Sequence, residues 1–350
     1  MKRYFQYFAC ISLSLAFLTT FLTGQDIRDQ DEIIRVETNM VFVDVLVRDK
    51  RSRRVVTDLT RENFKLFVDG RSREITSFGL DGTARVPLTI FLFFNLAPEG
   101  ALRFLTESRF QKSLRDSLDG LGPQDEVSVV ATRDWFVGKP EVVVTPTRNW
   151  EKVAASIGEV VANSPVGKVK PTSTAEKRSM SAAIDQVKKL RSANQGRQTV
   201  MIYISDGVNT LETMEFDKRK ALADRLSMEN IGFGAINFDL KTSYAVASKV
   251  IDPLAYLFGA SVTGSVNYFA EETGGVSINV EKAADFGNAL TEMIAVYSSR
   301  YGIGFEVDDK DNDGRKHRLV IKIDERTAEQ KSRKLIVNAR RSFYVTNRPR

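Results

Sequence analysis

A doubly wound α/β fold, with a mostly parallel sheet covered by helices on both faces, is predicted by three observations. Continuous apolar runs such as Leu88-Thr89-Ile90-Phe91-Leu92-Phe93-Phe94 mark strands buried on both faces. Helical stretches of crossover length separate these runs. Strand-like segments flank the whole region, which predicts a small β unit formed by N- and C-terminal strands.

The composition limits the chemistry. The 350 residues are 42% apolar, 27% charged and 9% aromatic, the balance of a globular protein. Lys and Arg number 51 against 45 Asp and Glu, a net charge of +6. That excess is mild and spread over both signs, so no nucleic-acid partner is expected. One His and one Cys exclude most zinc sites and most nucleophile–His couples. No Gly-rich phosphate loop is present: Gly232-Phe233-Gly234 lacks a third glycine, and Ala162 stands where Gly167-Lys168 would need one.

Residues 1–24 read as an export signal. Lys2 and Arg3 precede an apolar run from Phe8 to Leu22, and Gly24 lies just before the polar Gln25-Asp26. Leu22 sits where cleavage favours a small residue, so an uncleaved anchor is the competing reading and the one membrane contact expected. Cys10 lies inside the apolar run, not after it, which argues against a lipid anchor. The expected location is periplasmic or secreted. A mature chain without cysteine must then be stabilised by burial alone.

Residues 25–84 form the expected N-terminal β segment. Val41, Val43, Val45 and Val47 recur at period two, the basic run 48–54 reads as a turn, and Phe64-Lys65-Leu66-Phe67-Val68 reads as a strand ended by Asp69-Gly70. Residues 75–78 are a third candidate. Residues 85–300 carry the α/β domain, with strands expected at 88–94, 126–131, 142–144, 199–205, 231–236 and 276–280. Helices are expected at 101–119, 149–162, 174–193, 215–229, 264–273 and 282–299. Residues 163–173, rich in Pro, Gly, Lys and Ser, read as a loop, and 239–262 are less regular. Residues 301–350 return to strands at 301–307, 317–323 and 334–339, the first two flanking an acidic turn, and end in a basic tail. The leader and tail strands are expected to pair in one sheet, because each alone is too small to bury a core.

In an open parallel sheet, ligands bind beyond the carboxyl ends of the strands. Two polar segments occupy such positions here: Asn95-Leu96-Ala97-Pro98-Glu99-Gly100 after the first strand of the domain, and Ser205-Asp206-Gly207-Val208-Asn209-Thr210 after the fourth.

The order of elements and these two segments resemble the von Willebrand factor A-type domain, over about residues 85–300, with Ile202-Tyr203-Ile204-Ser205-Asp206-Gly207 the best local match. The stretch Phe42 to Phe78, with Val55-Val56-Thr57-Asp58-Leu59-Thr60-Arg61-Glu62-Asn63-Phe64 and Val68-Asp69-Gly70, resembles the leader of the exported proteins of this type described from acidobacteria. Tyr301-Gly302-Ile303-Gly304-Phe305 and Ala339-Arg340-Arg341-Ser342-Phe343-Tyr344 resemble their closing segment. The resemblance implies a metal-ion-dependent adhesion site: an Asp-x-Ser-x-Ser run after the first strand, a Thr from a later loop and an Asp after the fourth strand. Asp206 keeps the last of these, and Thr172 or Thr174 would supply the loop oxygen. The run itself is degenerate, with Asn95, Ala97 and Glu99 in its three positions. A hard ion such as Mg²⁺ needs more strong oxygen ligands than survive, so no cofactor is expected; were an ion bound, Asp206 with Asn95 and Glu99 would hold it.

The function this implies is a non-enzymatic extracytoplasmic adhesion-type module. Its rim of Asn95, Glu99, Thr172, Thr174, Asp206 and Asn209 would dock a protein partner with little or no metal dependence. Two alternatives stand beside it: an inert structural component of the envelope, and a hydrolase using Asp206 and Glu99 as paired carboxylates. Asp206-Gly207 also suits a helix or turn cap, and Asn95 and Glu99 suit solvated loop positions. Asp309-Lys310-Asp311-Asn312-Asp313-Gly314 copies the start of a calcium loop, but Val320 stands at its twelfth position, so an acidic turn is expected. His317, between Lys316 and Arg318, is expected to face solvent.

Overall fold

The computed structural model describes residues 40–80, 87–95, 105, 107–134, 139–162, 176–191, 197–205, 214–238, 260–261, 265–308, 311, 313–324 and 334–345. The described elements begin with β1 (Met40–Asp49), β2 (Phe64–Val68), β3 (Arg71–Arg73), β4 (Ser77–Leu80) and β5 (Leu88–Asn95). Next come α1 (Ser108–Leu118), β6 (Glu126–Asp134), β7 (Lys139–Thr147), α2 (Trp150–Ala162), α3 (Glu176–Arg191) and β8 (Gln198–Ser205). β9 (Met214–Glu215), α4 (Phe216–Met228), β10 (Ile231–Phe238), β11 (Ala260–Ser261), α5 (Ser265–Thr273), β12 (Ser277–Val280) and α6 (Phe286–Ser298) follow. β13 (Tyr301–Glu306), β14 (Lys316–Ile323), β15 (Leu335–Asn338) and β16 (Ser342–Tyr344) close the chain.

The central sheet has six strands in the order β12-β10-β8-β5-β6-β7, parallel throughout except for the β6–β7 pair at one edge. Its first strand in sequence, β5, lies inside the sheet, and the chain winds outward from it in both directions. The fold is doubly wound α/β.

Alternation along β5 explains its unbroken apolar run. Ile90, Leu92 and Phe94 enter a core covered by α1, α2 and α6, while Phe91 and Phe93 enter a second core covered by α3, α4 and α5. With both faces of the strand buried, period two disappears from the sequence. Among the described residues the helices fall where they were expected. The Asn149 side chain caps α2 by accepting from the Lys152 backbone N–H at 2.9 Å. Helices α1 and α6 approach so closely at Gly287 that a Cβ there would lie 2.3 Å from the Ser113 Cβ.

The terminal strands do pair with each other, in two sheets instead of one. The orders are β15-β1-β13-β4 and β16-β14-β2-β3, and the two sheets share a core of Val43, Val45, Phe64, Leu66, Ile303, Phe305 and Phe343, among others. Neither of the two expected turns, at 48–54 and after 301–307, joins strands that pair with each other. The basic run 48–54 does turn the chain, tightened by Asp49 Oδ1 accepting from the Arg51 and Ser52 backbones at 2.9 and 2.7 Å. The chain then crosses to the other sheet, so β1 and β2 are not partners. Tyr301 anchors that crossing: its hydroxyl donates to the Val56 carbonyl at 2.9 Å and accepts from the Leu59 N–H at 3.0 Å. The acidic segment after β13 likewise joins different sheets, where Arg73 binds both Asp308 (2.7 Å) and Asp311.

His317 is also corrected. It is 5% exposed, stacks on Phe343 at 5.3 Å, and places Nδ1 2.9 Å from Asp69 Oδ2 and Nε2 3.2 Å from Asp313 Oδ1. Flanking charges hid this inward position: Lys316 and Arg318 point outward because alternate residues of a strand face opposite sides. Asp69-Gly70, with φ of 49° and 80°, makes the tight β2–β3 turn that presents the carboxylate.

Candidate functional site

The carboxyl ends of β5, β8, β10 and β12 lie side by side, and the parallel register places one polar residue from each in a row. Asn95 is opposite Ser205, Ser205 opposite Asn237, and Asn237 opposite Asn279. Each sits at the end of its strand or one residue short of it, on the edge where open parallel sheets bind ligands.

Exposure rises along this row. Asn95 is 3% exposed and Ser205 fully buried, whereas Asn237 is half-buried and Asn279 exposed. The Asn95 carboxamide donates to the Tyr203 hydroxyl at 2.6 Å. Tyr203 is itself held between Phe93, at 5.4 Å in edge geometry, and Phe233, stacked at 6.0 Å. Asn95 thus supports the rim from below. At the other end the Asn237 amide donates to Ser277 Oγ at 3.0 Å and to Asn279 Oδ1 at 3.4 Å. These bonds link β10 to β12 at the open part of the rim.

Of the residues anticipated for the rim, Asn95 is the one the structure describes. Glu99, Thr172, Thr174, Asp206 and Asn209 lie outside the described residues, as do the export segment 1–24 and the alternative carboxylate pairing of Asp206 with Glu99. The strands that carry Asn95 and lead into Asp206 are adjacent and in register. Asn237 and Asn279 were missed. Their sequence signal was a carboxamide near the end of an apolar strand, visible in Ile236-Asn237-Phe238 and Ile278-Asn279-Val280.

The described donors of the row are carboxamides and a hydroxyl, all neutral. Such a set does not by itself fit a hard divalent ion, whose sites are built around carboxylates. Among the described residues, no group of three or more His, Cys, Asp or Glu side chains is arranged to hold a metal ion. Three carboxylates of the acidic segment are already matched to the protein's own cations, Asp308 and Asp311 to Arg73 and Asp313 to His317. Among the described residues no helix is long and apolar enough to cross a membrane.

No family model matches this sequence, and no curated protein does. Solved structures similar in fold include a von Willebrand factor type A protein from Catenulispora acidiphila. It matches at 11% identity over 88% of this chain and 73% of that one, with a TM-score of 0.40. The manganese-loaded TRAP protein of Plasmodium vivax matches at 12% identity over 75% and 96% of the two chains, with a TM-score of 0.38. BatB from Bacteroides thetaiotaomicron matches at 14% identity over 61% and 98%, also at 0.38. The fold assignment rests on the strand order described above.

Proposed function

We propose that this chain is an exported, non-enzymatic binding module of the von Willebrand factor A type, which docks a protein partner on the carboxyl-end rim of its central sheet. The observation that carries this reading is the register row Asn95–Ser205–Asn237–Asn279. It is a rigid, neutral, hydrogen-bonding edge placed where open α/β sheets bind ligands. Its buried end fixes the rim and its open end offers carboxamide donors and acceptors to a partner. In the degenerate adhesion run, Asn95 replaces a charged ligand with a neutral support. Docking through this edge therefore needs no ion, and Asp206, Glu99, Asn209, Thr172 and Thr174 would extend the same surface. Residues 1–24 are read as the signal that delivers the module outside the cytoplasm.

A photo-crosslinking amino acid placed at Asn279, and separately at Lys152 on helix α2, tests the proposal in native envelope fractions. We expect one discrete partner adduct from position 279 and none from 152. Equal labelling from both positions, or recovery of uncrosslinked chain alone, would overturn it. Calorimetry with Mg²⁺, Mn²⁺ and Ca²⁺ on the wild type beside Asp206→Ala tests the ion separately. Saturable heat in the wild type that the substitution abolishes would replace the metal-free reading.

A further inference from the structure

At the opposite end of the central sheet lies a small polar cavity of about 30 Å³, lined by Asp44, Gln198, Ser227, Asn230, Arg300 and Arg340 among others. Gln198 opens β8, whose last residue Ser205 belongs to the rim row. Seven residue steps along an extended strand separate the two places by about 23 Å. The walls come from β1 of the sandwich, the starts of β8 and β10, the end of α4 and its turn into β10, the end of α5, and the short links from α6 to β13 and from β15 to β16.

Two of its lining groups are buried donors without acceptors. Arg300 is 4% exposed; its Nε donates to the Val296 carbonyl at 3.0 Å, its guanidinium lies 4.3 Å over the Tyr297 ring, and its Nη2 has no hydrogen-bond partner. Ser227 is 6% exposed and its Oγ also has none. A buried, unsatisfied charged donor is among the costliest groups a fold can keep.

The local charge points the same way. Arg340 donates to Asn230 Oδ1 at 2.8 Å and to the Phe42 carbonyl, both neutral acceptors. The Asp44 carboxylate accepts from Gln198 Nε2 at 2.6 Å. Among the described residues no carboxylate lies within ion-pair distance of Arg300 or Arg340. Two guanidinium groups thus face one carboxylate across the cavity, an excess of one positive charge.

We infer that this cavity binds a single small monovalent anion of the halide class, chloride in an ordinary saline medium. The anion accepts from Arg300 Nη2 and Ser227 Oγ and neutralises the excess charge where the β sandwich meets the α/β domain. The volume admits one halide or one to two waters. Its role is structural: it completes the packing of β1 against the sheet and is independent of the rim.

The test uses bromide as the probe on the full chain. Crystals soaked in sodium bromide should show an anomalous peak in this cavity. Thermal unfolding at constant ionic strength should give a midpoint that rises saturably as bromide or chloride replaces fluoride, which is too strongly hydrated to substitute. Arg300→Gln should abolish that response and Ser227→Ala should weaken it. The second variant is mild enough to keep the comparison should the first fail to fold. Non-anomalous density of a structural water alone, or halide responses unchanged in Ser227→Ala, would overturn the inference.

Discussion

The Asn95 carboxamide and the Tyr203 hydroxyl meet at 2.6 Å beneath the carboxyl ends of two neighbouring parallel strands. The bond joins the strand ends on which the rim is built. Both side chains project from the same face of the sheet, the one covered by α3, α4 and α5, and both are almost fully buried.

Breaking that bond should loosen the rim from below. Asn95→Ala should destabilise the fold by about 1–3 kcal/mol, the usual cost of stranding a buried polar partner. A double-mutant cycle with Tyr203→Phe, read by chemical denaturation, should give a coupling energy above about 0.5 kcal/mol. Strict additivity would show that the contact contributes nothing.

Asn279 should behave oppositely. It is exposed, so Asn279→Ala should change stability by no more than about 0.5 kcal/mol while weakening partner capture. Unfolding curves and retention of the crosslinked partner from the same preparation separate the two effects.

His317 makes stability depend on pH in a defined direction. Burial alone would push its pKa down, but the hydrogen bonds and charges of Asp69 and Asp313 outweigh it and raise the imidazole above its ordinary 6.5. For Asp69 burial is opposed by the bonds from His317 and the Arg318 backbone, and for Asp313 the Arg315 backbone leads; both carboxylates end below their ordinary 3.8. A raised histidine contributes stability that is complete below the unfolded pKa and lost as pH climbs through the folded one. Depressed carboxylates contribute above their unfolded pKa and lose it as pH falls through their folded values. The midpoint should therefore be highest between about pH 4.5 and 6.5 and decline above that window. In His317→Gln the alkaline decline should flatten; an unchanged profile would reject the pairing.

The α1–α6 contact allows a compensating pair. Gly287→Ala places a methyl against Ser113 and should cost about 1–3 kcal/mol by overpacking. Ser113→Gly in the same chain should recover part of that loss, beyond the helix penalty of the new glycine itself. Differential scanning calorimetry of the two single variants and the double variant decides it.

Much of this architecture was legible before any coordinates. Residues 88–94 and 199–205 announced doubly buried strands because an all-apolar run has few other homes, and the helices between them followed from their length and pattern. The β–β connections were misread. The basic run 48–54 and the acidic segment after β13 look like hairpin turns, yet each carries the chain between sheets. What directs the first of them is Tyr301, far away in sequence, and no local pattern encodes that. His317 was misjudged for a related reason: charged neighbours on a strand describe the opposite face, not the residue's own.

By itself, the sequence located the strands and helices that build the α/β domain, because burial on one face or two leaves its period in the order of residues; the short strands β3 and β16 escaped it. It also placed Asn95 at a strand end facing the crevice. Only the tertiary structure decided that Ser205, Asn237 and Asn279 continue that line, that Asn95 lies beneath the surface instead of on it, and that Nη2 of the buried Arg300 has no hydrogen-bond partner. These outcomes depend on inter-strand register and on the packing of the sandwich against the α/β layers. Both are settled by contacts between distant segments, about which local hydrophobic periodicity carries no information.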